Sequence, residues 1–288
     1  MKLLRYPLRA ALGACFIATS AFASVDFHDH IGLQLWSLRD IVKKDQGAAL
    51  DQIKAYGIRE IEAAGISSVP AAEYLKMVQS RGLEAVSVHF GYEQLQKDLP
   101  LALANAKALK VKYVVVPWIP HQGDALSAAL AHEAAANFEK WGAAFREAGI
   151  RFAYHPHGYE FVPNIENGKT AFDILIEGTT AKNFALEMDV FWVYHAEQDP
   201  VAMLKKYPDR WVLMHVKDLR KGAPRDVNHG ATSPATDNVS VGQGEIDWKA
   251  VLSTAQKIGI RHYFIEDETP DPLKCIPESI AYLRALKL

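Results

Sequence analysis

The stretch Gly149-Ile150-Arg151-Phe152-Ala153-Tyr154-His155-Pro156-His157 contains the join that decides the fold. A glycine ends a helical segment in the left-handed conformation, a short β-rich run follows, and a polar loop begins where that run stops. The same join of glycine and an apolar residue separates a helical segment from a strand-like one at Gly57-Ile58, Gly82-Leu83 and Gly259-Ile260. The recurrence indicates that one βα unit is used repeatedly along the chain.

Outward from this join, eight β-rich segments alternate with eight segments of helical periodicity. Strands are predicted over residues 31–36, 58–63, 84–90, 113–118, 151–154, 185–189, 212–216 and 263–266, and helices over 48–56, 71–81, 99–109, 125–148, 170–177, 200–207, 248–258 and 276–286. This alternation predicts a parallel sheet of the α/β class. Eight units favour a single-domain (β/α)8 TIM barrel over an open doubly wound sheet, which stays as the alternative.

The N-terminal segment reads as a targeting signal. Residues 1–23 have a basic start, a short apolar run and the small-x-small triplet Ala21-Phe22-Ala23, as in a cleaved secretory signal peptide. We therefore predict a mature barrel domain over residues 24–288 that is periplasmic or secreted, with no membrane association apart from export. A lipoprotein cut before Cys15 is the less favoured alternative, because little apolar sequence separates Arg9 from Cys15.

Charge and composition exclude several classes of function. The formal net charge is −2, and loss of a leader with three basic and no acidic residues makes it −5. A mildly acidic chain lacks the basic surface that nucleic-acid binding needs. No G-x-G-x-x-G motif follows the first strand and no phosphate-binding loop occurs, so no nucleotide cofactor is predicted. Of the two cysteines, Cys15 lies in the leader, so Cys275 cannot form an internal disulfide in the mature chain.

Acidic and imidazole side chains collect where the last four predicted strands end. Asp189, His215 and Glu266 each end an apolar strand, and Glu160 lies just past one. The carboxyl-terminal ends of barrel strands meet at one mouth, where crowded carboxylates repel unless a cation lies among them. Three carboxylates and one imidazole suit a divalent metal. The oxygen-rich set favours Mn²⁺, with Mg²⁺ or Co²⁺ as substitutes.

Several motifs together resemble the xylose-isomerase-like TIM-barrel family. That family includes sugar isomerases and epimerases, inosose dehydratases, lyases of 3-keto-sugars and the endonuclease IV branch. The motifs lie at residues 154–161, 188–193, 215–218, 242–248 and 265–267. The resemblance implies that Glu160, Asp189, His215 and Glu266 are the metal ligands. If the loop after strand five turns away, His155 or His157 takes the position of Glu160.

A metal at this mouth predicts chemistry next to a carbonyl. The cation polarises a sugar carbonyl, so that a carboxylate can remove the neighbouring proton and the metal holds the enediolate. Glu160 and Glu266 come from different strands and are predicted on opposite faces of the reacting carbon. Reprotonation makes the protein a sugar isomerase or epimerase, acting on a free keto-sugar or keto-glycoside. Expulsion of a β-substituent, as in a 3-keto-glycoside lyase or an inosose dehydratase, is the alternative.

The remaining predictions concern groups around that centre. Lys217 shares the inward face of His215 and is predicted to contact substrate or the enediolate, or else to pair with Asp189 or Glu187; His155 is a further catalytic candidate. Substrate contacts are predicted for His157, His89, Trp118, Glu62 and Trp36. The partner is a small sugar rather than a nucleic acid, and a homo-oligomer is compatible with the sequence. A DNA-repair nuclease and a non-catalytic sugar-binding barrel are the competing functions. Residues 220–245 are predicted to be a lid or a flexible surface loop.

Overall fold

The structure, a computed structural model, describes residues 26–66, 69–229 and 231–288. The predicted signal peptide, residues 1–23, lies outside the described residues. Within them, no helix combines the length and the apolar character needed to cross a membrane. Eight parallel strands close into a barrel with helices between them, so the predicted single-domain (β/α)8 TIM barrel is confirmed.

The barrel strands follow chain order around the ring, which closes where the first strand pairs with the eighth, Ile31 opposite Tyr263. The first strand stops before residue 36, because Leu35–Leu38 turns into a 3₁₀-helix whose Trp36 N–H donates to the Gln34 side chain at 3.0 Å. In order, the strands are Ile31–Gln34, Glu60–Ala63, Glu84–His89, Tyr113–Val116, Arg151–Tyr154, Ala185–Asp189, Trp211–Val216 and His262–Ile265.

All eight predicted helical segments contain a helix, and the four predicted glycine joins have φ values of 71°, 73°, 76° and 99°. The short helices Arg39–Val42, Tyr92–Lys97 and Val190–His195 were not predicted, because so few residues show no periodicity. The other α-helices are Gln46–Ala55, Ala71–Gln79, Leu99–Leu109, Ala128–Glu147, Ala171–Glu177, Pro200–Lys206, Trp248–Ile258 and Pro272–Ala285. The 3₁₀-helices are Phe27–His30, Leu35–Leu38, Tyr159–Phe161, Val227–His229 and Ala235–Asp237.

An apolar layer fills the middle of the barrel. Side chains alternate along each strand, so every second residue faces the lumen. The Phe264 ring reaches across to the first strand, where a Cβ on Gly32 would lie 2.5 Å from it. Glycine at this position therefore makes room for the ring. The apolar layer, which divides the lumen into two ends, consists of Val86, Val115, Ala153, Ala185, Leu213 and Phe264.

The segment after the seventh strand contains regular secondary structure. It begins with Asp218–Leu219, which pairs antiparallel with Asn238–Val239. The buried Asp218 carboxylate then accepts hydrogen bonds from the backbone N–H of Gly242 at 2.8 Å and from Trp248 Nε1 at 2.9 Å, which fixes the return to the next helix. That residues 220–245 move as a lid stays a prediction.

Candidate active site

A cavity of about 510 Å³ opens at the carboxyl-terminal end of the barrel. Trp36 and Trp118 lie in its wall with 45% and 39% of their surface exposed, so both indole rings present an apolar face to the opening. Such faces stack well on the apolar side of a sugar ring. The cavity is lined by Trp36, Ala64, His89, Pro117, Trp118, His155, His157, Trp192, Ala231, Glu266 and Glu268.

Four buried side chains converge at the base of this cavity. His155, Asp189, His215 and Glu266 each offer a nitrogen or oxygen atom, and these atoms lie within 4.8 Å of one another. The His155 Nε2–Asp189 Oδ2 distance is 3.2 Å, and His215 Nδ1 lies 3.4 Å from Glu266 Oε2. We call these four residues the rim cluster. Three of the four predicted metal ligands are thus brought together, with His155 as the fourth member.

The rim cluster fits a divalent metal. His215 Nδ1 is buried and has no hydrogen-bond partner, although the Oδ2 atom of Asp189 lies 3.7 Å away and Glu266 Oε2 lies 3.4 Å away. An imidazole nitrogen that faces two carboxylates without bonding either is arranged as a ligand of a cation between them. With two imidazoles and two carboxylates, the set suits Zn²⁺ as well as Mn²⁺.

A second layer of side chains orients His215 from below. The other ring nitrogen, Nε2, lies 2.6 Å from Glu62 Oε1 and 3.3 Å from Glu187 Oε2. Burial opposes ionisation of Glu62, but His89 and His215 lower its pKa well below the usual range. An ionised carboxylate only accepts hydrogen bonds, so Nε2–H donates to Glu62 and Nδ1 is the atom that would bind a cation in the cluster. Glu62 is therefore a supporting residue beneath the cavity rather than the predicted substrate contact.

Glu160 does not join the rim cluster, which corrects its prediction as a metal ligand and as one of two opposed bases. Its buried carboxylate turns back into its own loop and accepts the backbone N–H of Gly158 at 2.8 Å and that of His157 at 3.1 Å, as well as the Tyr154 hydroxyl. Burial raises the pKa of Glu160 to about 7. Glu160 does not reach the rim cluster because it lies in the 3₁₀-helix Tyr159–Phe161, whereas His155 directly follows the fifth strand.

His157 lines the cavity as an uncharged imidazole. Its Nδ1 lies 3.2 Å from the carbonyl oxygen of His155, and since a carbonyl only accepts, Nδ1–H donates. Burial and the neighbouring His155 lower the pKa of His157 well below its usual range. The free Nε2 atom is therefore a proton acceptor at neutral pH.

Lys217 directly follows the seventh strand and its side chain is buried beside Glu266, but its hydrogen-bonding partners differ from those expected. Its Nζ atom donates to Glu266 Oε2 at 3.3 Å and to Glu268, and it lies 5.0 Å from the centre of the Trp192 ring. Burial opposes the charge, but Glu266 and Glu268 raise the pKa of Lys217 above its usual range. Trp36 Nε1 in turn donates to Glu268 Oε1 at 2.9 Å, which fixes that carboxylate at the cavity edge.

Sequence reasoning assigned no metal-binding or substrate-binding role to several residues that the structure places here. Glu187 precedes Asp189 by two residues on the same inward face, and period two along the strand was the signal that could have found it. The same spacing relates Glu266 to Glu268. The residues without such a predicted role are Gln34, Ser87, Glu187, Trp192 and Glu268.

The barrel and the chemistry of its mouth define the class of protein, an α/β barrel with a candidate metal centre at the strand ends. A family profile described as "Xylose isomerase-like TIM barrel" matches residues 50–286, and the chain belongs to this family. The predicted family resemblance is confirmed.

Three similar proteins illustrate the range of the family. An inosose dehydratase of Clostridium perfringens is 24% identical over 222 residues, which cover 68% of this chain and 73% of that protein. The crystal structure of a sugar phosphate isomerase/epimerase from Parabacteroides distasonis has a TM-score of 0.72 at 22% identity and covers 93% of this chain and 98% of its own. An IolI protein with a bound zinc atom has a TM-score of 0.67 at 15% identity, over 88% of this chain and 96% of its own. The two structural matches show the shared fold.

Proposed function

We propose that this protein is a divalent-metal-dependent enzyme that removes the proton next to the carbonyl of a keto-sugar or keto-glycoside. One observation carries the proposal: the rim cluster forms the base of a cavity whose wall holds the uncharged imidazole of His157. A cation held by the cluster would polarise a ketone oxygen and increase the acidity of the neighbouring carbon. Mn²⁺ remains our first choice of metal, with Zn²⁺, Mg²⁺ and Co²⁺ as the others.

The side chains of the protein supply the proton transfer and the positioning. His157 Nε2 takes the proton from the carbon next to the carbonyl, since its Nδ1 position is fixed by the His155 carbonyl. The ammonium of Lys217 keeps its proton and donates hydrogen bonds to Glu266 and Glu268, which positions these two carboxylates at the cavity wall. Trp36 and Trp118 hold the sugar ring over the base of the cavity and exclude water from it.

Elimination is the outcome that we favour. The predicted epimerase mechanism needs Glu160 as one of two bases on opposite faces of the reacting carbon. The carboxylate of Glu160 instead accepts a hydrogen bond from the backbone N–H of Gly158 in its own loop. The curated relative named above is an inosose dehydratase, which supports loss of a β-oxygen substituent, as in a dehydratase or a glycoside lyase. Isomerisation or epimerisation of the same enediolate is the second candidate, and the isomerase/epimerase name of a structural neighbour motivates it.

The charge of the cavity favours a substrate without phosphate. Among the described residues that line it, none is lysine or arginine, and the two ionisable acids are Glu266 and Glu268. A phosphate group binds cationic side chains or free backbone N–H groups, so a neutral sugar suits this wall better. Export directed by residues 1–23, which we propose together with a periplasmic or secreted location, agrees with an unphosphorylated substrate.

Turnover in deuterated water tests the proposal. The purified protein, loaded with Mn²⁺, is incubated with 3-keto-glucosides and common ketoses, and products are followed by NMR. We expect deuterium next to the carbonyl in recovered substrate or product, together with release of the aglycone if elimination occurs. Turnover in which the carbon next to the carbonyl keeps its original hydrogen would overturn the proton-abstraction mechanism.

Two histidine variants test whether activity depends on His157 in particular or is lost when any histidine is replaced. His157→Gln should lower kcat by a factor of about 10²–10⁴, the usual contribution of a general base. His132→Gln is the matched control, because His132 is an exposed histidine paired with Glu166 on the surface. Equal activity of the two variants would contradict the role of His157.

A further inference from the structure

A second group of metal-binding side chains lies at the opposite end of the barrel. His30, Glu60 and His262 each offer a ligand atom, and these atoms lie within 4.8 Å of one another. The Nδ1 atoms of both histidines lie 2.7 Å from separate oxygens of the Glu60 carboxylate. We call these three residues the lower cluster.

The lower cluster occupies the lumen beneath the apolar layer. Glu60 and His262 begin the second and eighth strands, and His30 directly precedes the first. Side chains two residues apart on a strand point to the same face. His262 lies two residues before Phe264, whose ring belongs to the apolar layer, so the His262 side chain also points into the lumen, below that layer. The layer therefore separates the lower cluster from the rim cluster.

Two features make this end of the barrel accessible to a cation. A cavity of about 740 Å³ opens there, with His30 and Glu60 in its wall beside Asp29, Arg59, Glu84 and Lys110. The side chain of His30 is 27% exposed, whereas that of His262 is 6% exposed. An ion can thus enter past His30 and meet two ligands that are already buried and fixed.

The geometry of the two rings suits a shared ligand. Their centroids lie 5.3 Å apart at an interplanar angle of 86°, and Tyr113 packs against His262 at 5.8 Å. Bonds of about 2.0–2.1 Å in tetrahedral zinc sites put donor atoms roughly 3.3 Å apart. The observed separations of 2.7 Å need to widen by only about 0.6 Å to reach that value.

We propose that His30, Glu60 and His262 form a second divalent-cation site, selective for Zn²⁺, with water as the fourth ligand. Two imidazoles and one carboxylate are a ligand set typical of zinc. The bound ion would join the first, second and eighth strands, so it would link the two chain-terminal strands where the barrel closes. Its role is to stabilise a chain whose predicted mature form has one cysteine and no internal disulfide.

Zinc stoichiometry tests this proposal without any measurement of activity. The metal-stripped chain is dialysed against Zn²⁺ and the bound metal is measured by elemental analysis. We expect two equivalents for the unmodified protein and one for a variant that lacks the rim cluster, Asp189→Ala with His215→Ala. Loss of all zinc from this variant, with its circular dichroism unchanged, would overturn the proposal and leave the lower cluster as a hydrogen-bonded triad.

Single-site variants make the result independent of the rim cluster. His30→Gln should bind one equivalent instead of two and should lose part of the rise in Tm that Zn²⁺ gives the unmodified protein. Since His30 is partly exposed, this variant is expected to fold. His132→Gln is the control and should keep both equivalents. Two equivalents in His30→Gln would contradict the assignment, whereas one equivalent there would support it even if the proposed reaction is wrong.

Discussion

His215 Nε2 lies 2.6 Å from Glu62 Oε1, a contact between the seventh and second strands across the interior of the barrel. Because Nε2 faces Glu62, the other ring nitrogen of His215, Nδ1, faces Asp189 and Glu266. The orientation of a central member of the rim cluster is thus set by a carboxylate outside the cluster. Partners of this kind fix the tautomer and the ring orientation of the imidazole that binds the metal.

Glu62→Gln should therefore weaken metal binding without removing a ligand. We expect the Kd for Mn²⁺ or Zn²⁺ at the rim cluster to rise by about 10- to 100-fold, measured by calorimetry on the His30→Gln background. Glu84→Gln serves as the control, because Glu84 pairs with Lys112 on the surface at 2.8 Å. Unchanged affinity in Glu62→Gln would mean that Glu62 does not orient the imidazole.

The fifth strand offers a direct comparison between His155 and Glu160. His155→Ala should lose the metal of the rim cluster, whereas Glu160→Gln should retain it, because the Glu160 carboxylate bonds the backbone N–H of Gly158 instead. Elemental analysis of both variants after equal dialysis measures this difference. Retention of metal by His155→Ala and its loss from Glu160→Gln would restore the ligand assignment predicted from sequence.

Glu160 should also make stability depend on pH. Burial raises its pKa to about 7 from the ordinary value of 4.5, so the folded protein binds more protons than the unfolded chain between these two pH values. Stability is thus expected to fall by about 3 kcal/mol as pH rises from 4.5 to 7, and to change little beyond. Glu160→Gln should lack this component.

Urea unfolding of the metal-free protein and of Glu160→Gln, at pH 5 and pH 8, measures the effect. The difference between the two proteins isolates Glu160 from other titrating groups. An equal loss of stability in both would show that Glu160 does not cause it.

The two exposed indoles should differ in their kinetic roles. We expect the Trp118 ring to stack on the sugar equally well in the ground state and in the transition state. Trp118→Ala should therefore raise KM by about 3- to 10-fold and leave kcat nearly unchanged. Trp36 also fixes Glu268 at 2.9 Å, and Trp36→Phe keeps a ring while losing this hydrogen bond. We expect Trp36→Phe to lower kcat more than it raises KM.

Steady-state kinetics on the substrate identified in deuterated water measures both parameters. The same KM-only effect in Trp36→Phe as in Trp118→Ala would show that the bond to Glu268 has no part in turnover.

The fold was predictable from sequence because its signals are local and repeated. Each βα unit carries its own periodicity and, in four cases, its own terminal glycine, so an error in one unit does not affect the others. The first strand shows the limit: the Gln34 side chain caps a 3₁₀-helix that ends the strand early, and an extended pattern of residues does not reveal such a cap.

The site was predictable only where strand position determines side-chain direction. Asp189, His215 and Glu266 lie at strand ends, where period two fixes the inward face. Glu160 lies beyond its strand, and the Gly158 and Tyr154 contacts that turn it away depend on the path of the loop. The part played by Glu62 depends on contact with a strand far away in sequence, which no local pattern contains.

The apolar layer around Phe264 has a consequence for how the protein can change. A low-dielectric partition between the two polar ends keeps water and ions from passing between them. Substitutions at the upper mouth that leave this layer intact should not open a path for water or ions to the opposite opening. Each end can then diverge independently, one acquiring new substrates while the other preserves the closure of the ring.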